Sequence, residues 1–71
     1  MPTWKELRRF CERDGWELVR DTDHYFYRKF EDGIYKSTKV SKGTGEIKHH
    51  LWREILHKQL KVTLEYFNDK S

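Results

Sequence analysis

The chain is poor in the residues that would point to an unusual class of protein. It holds one cysteine, Cys11, so no disulfide can form within it and nothing signals an oxidising compartment. No apolar run approaches the roughly 20 residues of a membrane-spanning helix, and no signal-peptide core opens the sequence. The expectation is a cytoplasmic protein without a membrane partner. There is no Gly-rich loop ending in Lys-Ser/Thr, so Gly43-Thr44-Gly45 reads as a connection and not as a phosphate cradle. No serine sits in a nucleophile turn, which excludes Ser-His-Asp chemistry. Repeats and low-complexity tracts are also missing, and residues 1–71 read as a single domain.

What remains is charge and aromatic surface. Charged residues make up 38% of the chain and hydrophobic ones only 35%, yet 15% are aromatic, enough to build a small core. Fifteen Lys and Arg against twelve Asp and Glu leave a net charge of +3, which permits a nucleic-acid partner without requiring one.

The elements follow from local pattern. "TWKELRRFCERDG" carries a capping box, Thr3 with Glu6, and an apolar stripe of Trp4, Leu7, Phe10 and Cys11, so it predicts a helix stopped by Asp14-Gly15. Cys11 lies on that stripe and reads as a small buried residue. Strands are predicted at Trp16–Arg20, His24–Phe30 and Ile34–Ser41, with Glu31-Asp32-Gly33 as a hairpin connection. "KGTGEIK" reads as a flexible link. His49–Leu60 reads as a second helix with Leu51, Trp52, Ile55, Leu56 and Leu60 on one broad face. A last short turn begins at Thr63. The order α-β-β-β-α with a helical tail predicts an α+β, two-layer sandwich: a three-stranded antiparallel sheet with both helices on one face, similar in outline to the double-stranded-RNA-binding domain.

Among candidate sites, His50, Glu54 and His57 recur at helical spacing. Two imidazoles and one carboxylate with no orienting partner make a solvated helix face and not a metal centre. "DTDH" lacks the spacing of a calcium loop. No cofactor is expected. His24 is the one side chain suited to acid–base chemistry, because RNA carries its own nucleophile and needs only a group to move protons. Arg28, Lys29, Lys36, Lys39 and Lys42 could hold phosphates, and Tyr25, Phe26 and Tyr27 offer faces for unpaired bases. Alternation sets His24 with Phe26, Arg28 and Phe30, and Tyr25 with Tyr27 and Lys29. Both sets contain aromatics, so periodicity does not choose the inward one.

Taken whole, the chain resembles the HicA family of toxin–antitoxin ribonucleases, the mRNA interferases. "DGWELVR" resembles the family's Gly-Trp/Phe-x-Leu-Val-Arg, and "TDHYFYRK" resembles its Gly-Ser-His-x-x-Phe/Tyr with the histidine at His24. "EIKHHLWREILHKQL" and "KVTLEYF" resemble its closing helix and capped turn. Thr22 and Asp23 stand where the family has Gly and Ser, and "VSKG" replaces its Pro-His-Pro. The resemblance implies a double-stranded-RNA-binding-like fold, metal-independent cleavage of mRNA with His24 as the catalytic residue, and a HicB-like antitoxin as protein partner. Two other readings of the residues stand beside it. One is a non-catalytic nucleic-acid-binding module using Lys36, Lys39 and Lys42, and the other is a protein-interaction domain.

Overall fold

Thr3 accepts from the Glu6 backbone at 3.2 Å while Glu6 reaches back to the Thr3 amide at 3.4 Å, and this reciprocal cap opens helix α1, Trp4–Arg13. The computed structural model describes residues 2–70. Gly15, at φ 80°, turns the chain out of α1 as expected. Three strands follow: β1 (Glu17–Asp21), β2 (His24–Glu31) and β3 (Ile34–Ser41), antiparallel in the order β1-β2-β3. The first strand starts one residue later than the sequence predicts, because the Trp16 side chain is buried and its indole N–H bonds Asp14 at 3.0 Å. Glu31 pairs with Ile34, leaving Asp32-Gly33 as a two-residue turn with φ of 53° and 80°. Positive φ at both central positions is the hairpin turn that matches strand twist, and Asp-Gly is suited to it.

The second helical region begins as α2, His49–Glu54, and widens into a π-helical stretch over Ile55–Leu60. The sequence predicts one regular α-helix here. The i→i+5 spacing of the wider turn brings Leu60 over Ile55, and both are buried with Leu56. Gln59 on the same turn accepts from the Thr38 hydroxyl at 2.8 Å, which fastens the stretch to β3. The turn closes at Lys61, whose φ of 56° is left-handed, and Thr63 then caps helix α3, Leu64–Lys70. A lysine in that conformation carries a steric cost that glycine avoids. Lys61→Gly is therefore expected to stabilise the fold by about 0.5–1 kcal/mol, read as a higher denaturation midpoint.

One hydrophobic cluster joins all layers. Leu7, Phe10 and Cys11 of α1 meet Tyr27 and Val40 of the sheet, Ile47 of the β3–α2 link, Trp52, Ile55, Leu56 and Leu60 of the second helical region, and Phe67 of α3. Phe67 sits at the centre, with ring centroids 4.9 Å from Phe10 and 4.7 Å from Trp52. Burial, followed by the charges of Asp14 and Glu12, pushes the Cys11 thiol up to about 12, which makes it a core residue and not a nucleophile. The link from β3 to α2, expected to be flexible, is pinned instead. Its Ile47 is fully buried, the Ile47 amide donates to Pro2 at 2.9 Å, and the Trp4 amide donates to Gly45 at 3.3 Å.

Candidate nucleic-acid interface

Burial resolves the ambiguity that alternation leaves in β2. Tyr27 is 2% exposed and faces the helices, and its register partner Thr38 is buried with it. Tyr25 and Lys29 share that inner face, opposite Val40 and Lys36. The other face of the sheet has no helix over it. It carries His24, Phe26, Arg28 and Phe30 from β2, and Tyr35, Ser37 and Lys39 from β3. His24 thus stands on the open face, half-buried, with its ring 6.4 Å from Phe26 in an edge-on arrangement.

The open face combines aromatic and cationic groups. A shallow groove of about 420 Å³ is lined on this face by Phe26, Arg28, Ser37 and Lys39, with Val19 of β1, and it reaches Tyr27, Thr38 and Gln59 of the helical side. The Arg20 guanidinium lies 5.8 Å from the Phe26 ring, and Arg28 lies 5.0 Å from Tyr35. Tyr35 in turn packs 4.7 Å from Phe30, and both are well exposed, at 64% and 60%. Exposed rings beside cations are the surface on which unpaired bases stack while their phosphates are held. Arg28 also meets Glu17 at 3.1 Å, an exposed pair that holds it only weakly.

The five basic residues singled out from the sequence do not share one surface. Arg28 and Lys39 face outward beside the groove. Lys29 and Lys36 point the other way, into carboxylates: Lys29 meets Asp14 at 2.9 Å and Glu31 at 3.3 Å, and Lys36 meets Glu31 at 2.8 Å. Lys36 is 6% exposed, and its ammonium lies 5.7 Å from the Trp16 ring. Lys29 ties β2 to the end of α1 and Lys36 closes the hairpin on Glu31, so both ammonium groups are engaged by carboxylates away from the open face. Lys42 lies past the end of β3, paired with Asp21. That hydrogen bond holds the Lys42 ammonium above its ordinary value and sets the Asp21 charge against Lys42.

Asp14 is the residue that sequence reading treats only as a helix stop. Its carboxylate is almost fully buried and accepts from Trp16, Lys29 and the hydroxyl of Tyr66. Burial alone would raise its pKa, but the hydrogen bonds from Tyr66, Lys29 and Trp16 outweigh that and hold it below the usual carboxylate value. No local pattern marks a contact with a tyrosine 52 positions away. His50, Glu54 and His57 line an exposed depression on the second helical region, and no group of three metal-ligating side chains occurs among the described residues. No helix among them is long and apolar enough to cross a membrane. No protein-family model, curated protein or solved structure matches the chain.

Proposed function

We propose that the open face of the sheet binds single-stranded RNA and that His24 cleaves it by acid–base catalysis without a metal, as the resemblance to the HicA ribonucleases implies. The observation that carries this reading is the placement of His24 on the same open face as Phe26, Arg28 and Lys39. In the reaction, the imidazole takes the proton of a ribose 2′-OH. The 2′-oxygen then forms a bond to phosphorus as the bond from phosphorus to the 5′-oxygen breaks, and the leaving oxygen takes a proton from the imidazolium or from water. Arg28 and Lys39 hold neighbouring phosphates, and Phe26 supports a base. On the same resemblance, and with the double-stranded-RNA-binding-like reading of the fold, a HicB-like antitoxin would silence the protein by covering His24.

A second reading, binding without cleavage, is favoured by one observation: only Arg28 and Lys39 of the five basic residues face the groove. Both readings require those two residues to carry the affinity. Arg28→Gln and Lys39→Gln should each weaken RNA binding and flatten the slope of log K against log salt by about 0.7, one phosphate contact each. Lys29→Gln and Lys36→Gln should lower the denaturation midpoint and leave the slope unchanged. A slope that responds equally to all four would show that RNA does not use this face. Cleavage separates the two readings.

A further inference from the structure

A second cleft lies around the end of the sheet from His24, on the helical side. It holds about 290 Å³ between the start of α1, the end of β3 and the Gly43–Gly45 link, and Trp4, Lys5, Arg8, Tyr25, Lys42 and Thr44 line it. Three of those six side chains are cations. Two of them stand against one aromatic ring: the Arg8 guanidinium carbon is 4.0 Å, and the Lys42 nitrogen 4.8 Å, from the centroid of Tyr25. Arg8 is held further by its hydrogen bond to the Tyr27 hydroxyl at 3.3 Å, so its charge is positioned in advance. Both cations therefore stand within 5 Å of the same ring, and both line the one cleft.

Their present carboxylate partners are weak competitors. Arg8 meets Glu12 at 3.2 Å and Lys42 meets Asp21, with all four side chains between 39% and 56% exposed. Exposed pairs of this kind contribute little and exchange readily, whereas a phosphate dianion brings a second charge and a third terminal oxygen that one carboxylate lacks. The rest of the cleft wall mixes the apolar surfaces of the half-buried Trp4 and of Val40 with the hydroxyls of Thr3, Ser41 and Thr44. A volume at the small end of the ligand-pocket range suits one phosphate with its sugar and a single base.

We propose that this cleft binds the phosphate of a nucleotide, with Arg8, Lys42 and Lys5 on the phosphate and Trp4 against the sugar or base. The assignment stands on the cleft's own residues and not on cleavage by His24. Such a phosphate can come from a free mononucleotide or from the end of an RNA strand that rounds the sheet edge at His24 and Ser41, which are register partners.

The test is an amide-resolved titration of the intact protein with adenosine 5′-monophosphate, adenosine, and a short RNA with or without a 5′-phosphate. The expected result is a saturable shift at Trp4, Tyr25 and Thr44 with the monophosphate, at least tenfold tighter than adenosine. It should weaken at least tenfold in a Lys5→Gln, Lys42→Gln double variant, whose two sites are exposed and leave the core intact. If the double variant also weakens binding of 5′-phosphorylated RNA, the strand end is the source; if it spares RNA, the free nucleotide is. Either outcome supports the site. Adenosine binding as tightly as the monophosphate, or no saturable shift at these three residues, would overturn it. Binding of adenosine 5′-monophosphate involves no cleavage, so failure of the cleavage reading and failure of this one are separable.

Discussion

Asp14→Ala is expected to destabilise the protein by about 3 kcal/mol or more, a large share of the roughly 5–15 kcal/mol that holds a small domain together. The reason lies in what the substitution strands. Three donors converge on this carboxylate from the α1–β1 link, β2 and α3: the Trp16 indole, the Lys29 ammonium and the Tyr66 hydroxyl. With Asp14 gone, Lys29, only 17% exposed, keeps Glu31 alone as its counter-ion, and Trp16 loses its acceptor. The pH dependence has a definite sign. Because the folded-state pKa of Asp14 is lowered, the unfolded chain binds the proton more readily. The stabilisation is complete above the unfolded value of about 3.9 and is lost as pH falls through the lower folded value. Denaturation followed by tryptophan fluorescence should therefore show the wild type weakening below about pH 4, with a shallower loss in Asp14→Asn. A neutral-pH cost under about 1 kcal/mol for Asp14→Ala would mean that the network is a surface feature.

His24→Ala is expected to lower the rate of RNA cleavage by about 10²–10⁴-fold, the range that a positioned general acid or base supplies. RNA affinity should change little, because the residues proposed to hold the strand, Phe26, Arg28 and Lys39, remain on the face. This split separates a catalytic role from a structural one. Half-buried at the end of the sheet, His24 makes no side-chain hydrogen bond to the other described residues, and its backbone bond from Thr22 at 3.2 Å survives the substitution. The Thr22-Asp23 pair tests the same point from the other side. The structure sets Asp21 against Lys42, whereas Asp23 is exposed in the turn that a phosphate would approach in the proposed reaction.

Much of the frame was legible before any coordinates. The capping box at Thr3, the Asp-Gly hairpin, the order of elements and the buried Cys11 all depend on contacts within a few residues or on plain periodicity. The open face was not legible. Both alternating sets of β2 contain aromatics, and the choice between them falls to Tyr27, which meets Arg8 and packs opposite the buried Thr38. The basic residues misled for a related reason. A lysine in a strand looks the same whether it faces solvent or a carboxylate: Lys36 finds Glu31 across the hairpin, and Lys29 finds the buried Asp14 only once α1 is in place. The π-helical turn is likewise a tertiary product, set by Gln59 reaching Thr38.

The central claim is that this chain cuts RNA through the strand's own 2′-hydroxyl, with His24 moving the proton. The most direct measurement incubates the purified protein in EDTA with an RNA and with its 2′-deoxy counterpart of the same sequence, beside His24→Ala. The account predicts cleavage of the RNA alone, by the wild-type protein alone. An uncut RNA, cleavage of both strands, or equal cleavage by His24→Ala would contradict it.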